Sequence, residues 1–426
     1  MGRFKSFYLL ALAILTPVFL FAQFNNNTTS PYSRFGIGDL QPYSFGRTYA
    51  MGGASIASRY NRQINLSNPA SYTAVDSLGF MFEFGITGKF ARYSNDITHM
   101  NANDINFRYF AMNFRINDWM ATSLGLTPFS DVGYDVKVNE SGENTGNVLH
   151  SYFGVGSLSK AFLGVAIEPI ENISAGVNLN YLFGTLNRNS EIYFLSSSDF
   201  YNMQKYEKIR LRDFGLSFGL QAALPLQNDQ KIIIGAVVEN KPTYTAFYSD
   251  LTQKNIQSSN SSDLDTLNFQ SKEKSTIEFP FTLGAGISYV KTNSLEINAD
   301  FYHQSWSKAI FFDSKYPNLT DLNKFAVGAE WIPDRFSIRS YLNRIAYRAG
   351  LRFEKSYLKF DNQQINDFGI TFGVGLPVYR SNSTINVAAE IGRRGTKANN
   401  LVIENYAKLN LSVNLYDLWF IKRKFD

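Results

Sequence analysis

Three histidines, His99, His150 and His303, are the first place to look for chemistry in this chain of 426 residues. His150 stands beside Ser151, and His303 lies two positions before Ser305, so each imidazole has a hydroxyl within reach along the chain. Acyl transfer by such a pair also needs a third group that orients the imidazole, and neither pair comes with one. No enzyme is therefore expected. There is no cysteine, which removes disulfides, thiolate metal sites and cysteine nucleophiles, and no metal or cofactor is expected. The formal charge of +5 is too mild to argue for nucleic acid.

A second set of charged residues follows a rule. In "NRIAYRAGLRF", Arg344, Arg348 and Arg352 share the face opposite Ile345, Tyr347, Ala349, Leu351 and Phe353. Glu83, Asp213, Glu239, Glu296, Asp300, Glu330, Asp367 and Glu390 take the same place in other segments. Mixed charges on one face can brace an interior through cross-strand pairs, or they can line a path for a charged solute. Both readings need an element that repeats every two residues.

That element is a strand with one apolar face. "SLEINADFYHQSW" sets Leu295, Ile297, Ala299 and Phe301 against Glu296, Asn298, Asp300 and Tyr302. "TINVAAEIG", "DFGITFGVGLP" and "KLNLSVNLY" repeat the pattern, and 37 Phe and 25 Tyr make the chain aromatic-rich. Turn signals divide the chain into about fourteen strands, near 79–93, 104–116, 119–137, 149–168, 172–188, 208–225, 231–248, 276–290, 294–306, 323–332, 341–354, 364–379, 383–394 and 404–419. Connections after odd strands are mostly long and polar. Those after even strands are mostly short, with "IPDRFSIRS" the exception. The pattern predicts an all-β transmembrane antiparallel β-barrel whose polar face is the lumen.

The ends fit export. "MGRFK" followed by "FYLLALAILTPVFLFA" reads as a signal peptide over residues 1–22, whose removal takes away Arg3 and Lys5 and leaves a charge of +3. No later run offers the ~20 apolar residues of a membrane helix, so any span must be made of strands. Trp419 and Phe420 suit an interface girdle. Residues 23–77, rich in glycine, aromatics and turn formers without sustained alternation, predict an N-terminal hatch or plug ahead of a barrel over 78–426. Asn68-Pro69-Ala70 closes that segment with a stiff corner.

"FGRTYAMGGASIASRYNRQINLSNPASY" resembles the hatch of the FadL family of outer-membrane long-chain fatty acid and hydrocarbon channels, with Gly46, Arg47, Tyr49, Gly52, Gly53, Ala54, Asn68, Pro69 and Ala70 carrying the likeness. "YSRFGIGDL" and the ending "DLWFIKRKFD" look like a Bacteroidetes-type branch of that family. The resemblance implies a Gram-negative outer membrane with its lipids, passive uptake of a hydrophobic small molecule, a hatch that shifts to gate the lumen, and exit sideways through the wall. The connection "NESGENTGN" is too short and polar for the family's ligand-catching groove, whereas the connection holding Ile192, Tyr193, Phe194, Phe200 and Tyr201 is more apolar. A FadL-like barrel can instead serve as a partner or shuttle in type IX protein secretion, as the PorV type does, and secretion proteins would then be its partners.

Overall fold

The computed structural model describes residues 30–42, 44–96, 98–195, 200–258 and 261–418. The leader at 1–22 and the proposed girdle residues Trp419 and Phe420 lie outside the described residues. Fourteen strands form the ring: β1 (Gly79–Ser94), β2 (His99–Asn117), β3 (Met120–Gly142), β4 (Gly146–Ile170), β5 (Ile173–Phe194), β6 (Asn202–Pro225), β7 (Gln230–Glu239), β8 (Thr282–Lys291), β9 (Leu295–Gln304), β10 (Leu322–Trp331), β11 (Ala346–Phe360), β12 (Gln363–Pro377), β13 (Thr384–Arg394) and β14 (Ile403–Leu418). Each pairs antiparallel with its neighbours. The ring closes where β14 meets β1, in register from Ile403 opposite Ser94 to Leu418 opposite Gly79.

Alternation decides which way each side chain points. Ile297, Phe325, Leu351, Phe372, Ile391 and Leu409 are exposed on the outer face, while Glu296, Asp300, Glu330, Arg348 and Glu390 are buried inside. An outer face of Phe, Leu and Ile is stable only against lipid, and Trp331 and Tyr347, 6.0 Å apart, form an outward aromatic pair at the rim of short turns. No helix among the described residues is long and apolar enough to cross a membrane.

Several strands run far beyond a bilayer. β4 has 25 residues, whereas a spanning strand needs about 9–11. The long polar connections of the sequence reading are therefore largely strand. Outside the membrane both faces meet water, so oil-and-water alternation disappears although backbone pairing continues. The largest case is the connection expected at 250–274. Thr243–Ser258 and Ser261–Glu278 form an outer hairpin that extends β7 and β8 past Pro242 and Pro280, and Met203–Leu211 of β6 pairs with its first strand. Proline cannot donate to the ladder, so these residues sit at the breaks.

Two further corrections concern β11. The strand starts at Ala346 instead of 341, and Tyr341–Arg344 forms a one-turn helix, α2, after the first such turn, α1 (Gly46–Tyr49). Arg344 is thus placed at the rim and does not join the interior charge network. On one side the reason is pairing: the wall of β10 ends at Trp331 opposite Tyr347, so residues before Ala346 have no β10 ladder to join.

Candidate functional site: a filled lumen and an interrupted wall

Residues 30–42 and 44–77 lie inside the ring. They approach the wall backbone to backbone because the wall offers glycine there. A Cβ on Gly350 would lie 2.2 Å from the Gly52 nitrogen, one on Gly328 2.2 Å from the Met51 oxygen, and one on Gly235 2.4 Å from the Ile56 oxygen. Gly52 and Gly53 have φ of +68° and +85°, a backbone region that disfavours side chains.

Side chains then lock this inner segment at successive depths. Nearest the short-turn rim, β9 and β10 bring Glu296 opposite Glu330, and β11 adds Arg348. Two carboxylates side by side need cations between them. Arg47 of α1 supplies one: its Nη2 donates to Glu296 Oε2 at 2.6 Å and its Nε to Glu330 Oε2 at 2.7 Å, while Arg348 Nε donates to the same Glu330 oxygen at 2.6 Å. Burial pulls the Arg47 guanidinium down, but the paired carboxylates overcome this and hold it well above its ordinary value. The cluster is two cations against two anions, and Arg47 closes it from a different part of the chain.

One layer further out, Asp300 accepts from the backbone N–H of Ser55 and of Ile56, the latter at 2.8 Å. Arg352 donates to Glu390 at 2.7 Å and to Asp367 at 2.9 Å. Tyr49 donates its hydroxyl to Glu390; burial, then the Glu390 charge, raises that phenol well above its usual range, so it remains a donor. Of the eleven charged residues read onto the lumen face, these layers bring together Glu296, Glu330 and Arg348, then Arg352, Asp367 and Glu390, with Asp300 beside them, while Glu83 bonds Tyr109, Glu239 pairs with Lys160 and Asp213 bonds Thr245 elsewhere. Arg344 stands apart.

The hatch residues divide in the same way. Gly46 sits under Glu83, whose carboxylate accepts from Tyr109 at 2.6 Å; a Cβ on Gly46 would lie 2.0 Å from it. Asn68, fully buried, caps the short 3-10 turn Pro69–Ala74 through Ala70 N–H, and its amide donates to Ile56 O at 2.8 Å and to Leu220 O at 3.1 Å on β6. Pro69 packs where Gly176 and Gly219 leave room. The corner Asn68-Pro69-Ala70 is anchored to the wall.

A cavity of about 110 Å³ remains inside, lined by Asp39, Lys89, Arg108, Arg352, Glu390 and Lys408 among others. It has room for a few waters and carries charges of both signs on its lining. Above it lies a dry layer in which Tyr32 and Ile37 of the inner segment pack against Val132, Leu158, Leu186, Leu211, Trp306 and Tyr357. Burial pushes the Tyr32 phenol up to about 12.

The wall beside this dry layer is interrupted. β2 and β3 pair only from Phe110 opposite Leu126 down to Asn117 opposite Met120. Farther out, among the described residues, β3 pairs on that side only with the inner segment, Leu40 opposite Ser130 and Asp39 opposite Asp131. Gln41 N–H donates to Phe129 O at 2.9 Å and Ser30 N–H to Gly133 O at 3.1 Å. Gly38 allows the approach, since a Cβ there would lie 2.5 Å from the Asp131 oxygen. Sequence reasoning missed this seam. Its trace was Gly36-x-Gly38-Asp39-Leu40, two glycines at positive φ before a dipeptide able to pair.

The histidines do not form a triad. His303 lies between Asn323 Oδ1 at 2.9 Å and Ser305 Oγ at 3.2 Å, and His150 lies 3.4 Å from exposed Glu140. No cluster of three or more metal-binding side chains occurs among the described residues.

A closed fourteen-strand barrel holding its own N-terminal segment in the lumen defines a FadL-like β-barrel. The solved structures it resembles include the Pseudomonas putida toluene transporter TodX (15% identity over 91% of this chain and 100% of that one, TM-score 0.59), the Ralstonia pickettii toluene transporter TbuX (14%, 88% and 99%, 0.56) and a Pseudomonas aeruginosa FadL homologue (8%, 89% and 99%, 0.55). Identities this low establish a shared fold. The chain itself belongs to the BamG family, whose model matches residues 4–426. No curated protein matches it.

Proposed function

We propose that the protein is an outer-membrane channel of a Gram-negative, Bacteroidetes-type bacterium, exported by the leader at 1–22, through which a hydrophobic small molecule of the hydrocarbon or fatty-acid kind passes and leaves sideways into the membrane. The observation that carries this is the seam between β2 and β3, where the wall ladder stops and the inner segment closes the gap from inside, Asp39 and Leu40 in register with β3 and Ser30 and Gln41 bonded to it. A purely structural barrel gains nothing from an interrupted wall. The dry layer borders the seam through Leu40, Phe129 and Val132, whereas the layers beneath it are charged, so an apolar solute finds its low-cost route outward through the wall. The solute class follows the toluene transporters named above. Residues 23–77 act as the hatch in this reading, with Gly46, Arg47, Tyr49, Gly52, Gly53, Asn68, Pro69 and Ala70 setting its resting position. His150 and His303 have no catalytic part.

The chain has no cysteine, so one pair can be introduced cleanly. Leu40→Cys with Ser130→Cys joins directly opposed residues and locks the seam. Oxidised cells or proteoliposomes should lose uptake of a toluene-class compound and regain it on reduction. Uptake unchanged by a verified crosslink would eliminate the route.

A second reading, a partner-bearing barrel in protein secretion, is favoured by the outer hairpin, where Leu264, Leu267 and Phe269 are exposed on a stretch that, among the described residues, is paired along one edge. It expects secretion proteins to co-purify, and it expects the locked seam to have no effect.

A further inference from the structure

The outer face of the barrel changes character at one level on four neighbouring strands. On β1 the outward positions carry no polar side chain up to Phe90 and then turn to Arg92, and on β13 they are apolar up to Ile391 and then turn to Arg393. β14, between them, passes from Leu409 and Ala407 to Asn405, and β2 passes from Phe107 and Ile105 to Asn103 and Asn101. Register puts the polar residues in one row: Arg393 lies opposite Asn405, Asn405 opposite Arg92, and Arg92 opposite Asn101. The row stands at the end of the lipid-facing band remote from the Trp331–Tyr347 pair, where headgroups meet water on the long-strand side.

Arg92 and Arg393 are exposed, and among the described residues neither has a carboxylate within 4.0 Å. The carboxylates beside this row, Glu404 and Asp367, point inward to Lys89 and Arg352, and Arg394 turns inward to Asp39. The two arginines stand two strand spacings apart, about 9.5 Å, with the shorter Asn405 between them, so both guanidinium groups reach one ligand held over β14. Directly beneath, Ala407 lies opposite both Phe90 and Ile391. A small residue between two large ones leaves an open groove of about 860 Å³ on the outer face, flanked by Phe368. Paired guanidinium groups above an apolar groove match a phosphate that carries an acyl chain. Asn101, Asn103 and Asn405 add amides that both donate and accept, as sugar hydroxyls require.

We propose that this face binds a phosphorylated saccharolipid of the outer leaflet, with its phosphate between Arg92 and Arg393, its sugar against Asn101 and Asn405, and one acyl chain in the groove over Ala407. The site rests on the reading of the barrel as an outer-membrane protein with its long strands outward, but not on what the channel carries. It straddles β14 and β1, so the bound lipid clamps the two strands whose pairing closes the ring.

The test uses the full-length protein, delipidated in detergent and titrated with lipid A (a phosphorylated, acylated disaccharide), lipid A stripped of its phosphates, phosphatidylglycerol or inorganic phosphate, with bound ligand counted by native mass spectrometry. Arg92→Gln with Arg393→Gln removes the two charges, and Ala407→Phe fills the groove as a separate variant; migration on unheated gels shows that each has folded. Lipid A should bind the wild type at least tenfold more tightly than either variant, and stripping its phosphates should weaken it on the wild type by a similar factor. Equal binding of lipid A by the folded wild type and either variant overturns the site. So does phosphatidylglycerol or inorganic phosphate binding as tightly as lipid A, which makes this a general phosphate site, or a dimer of the chain that the arginine variant dissolves in place of lipid loss. Failure of the wild type to insert into phosphatidylglycerol and phosphatidylethanolamine vesicles overturns the membrane reading as well, so the two failures are distinguishable.

Discussion

Arg47 shows how much one side chain can hold. It is 3% exposed and bonds both Glu296 and Glu330 as well as Ser58, while its guanidinium stacks 4.5 Å from the Tyr60 ring. Removing it leaves two buried carboxylates to share Arg348, and stranding buried charge costs about 3–5 kcal/mol. Arg47→Met should accordingly lower the temperature at which the inner segment becomes protease-sensitive. The double change Arg47→Met, Glu296→Gln should recover part of that loss, since it leaves Arg348 paired with Glu330 and strands no charge. Limited proteolysis against temperature measures both, and equal loss in the single and double variants would show that Arg47 acts by packing and not by charge. The charge itself is fixed across all useful pH values, so no pH dependence should arise from its titration.

At the scale of the element, a barrel strand is a two-sided object, and its sides fail differently. Ile297 faces lipid, so Ile297→Arg should cost about 2–4 kcal/mol and reduce assembled barrel on unheated gels, whereas Ile297→Leu should be silent. Alternation alone suggests that the inward Asn298 would accept arginine more readily. The structure removes that expectation: Asn298 is fully buried and its amide lies against Glu296 Oε1 at 2.9 Å. This marks what could be read from sequence and what could not. Alternation finds all fourteen strands and both faces, because the membrane imposes one apolar side on each. It says nothing of how full the lumen is, nor of strand continued into water, where Lys254 and Asn255 still pair with Met203 and Asn202 although no apolar face remains. The corner Asn68-Pro69 is visible as a turn. Its bonds to β6 and β7 depend on glycines more than a hundred residues away, and no local pattern encodes those.

The whole molecule has a direction. The short-turn rim carries α2, and the opposite rim carries the long β3–β6 extensions and the outer hairpin. A tag inserted at Glu143, in the turn between β3 and β4, should be reached by antibody on intact cells, and one at Asn228, between β6 and β7, only after the membrane is permeabilised. Reversed accessibility would exchange the outer and inner rims. The closure of β14 onto β1 also sets an order of events in time. The strand that completes the ring is the last one made, and its partner lies more than three hundred residues earlier, so ring closure carries the largest loop entropy and comes late. The segment that fills the lumen immediately precedes β1. A ring closed first would have to be threaded from one end past the inward-facing glycines that receive Met51 and Ile56. Loading the lumen while the sheet is still open would spare that step, and the filling would then serve as a mandrel on which the remaining strands are bent.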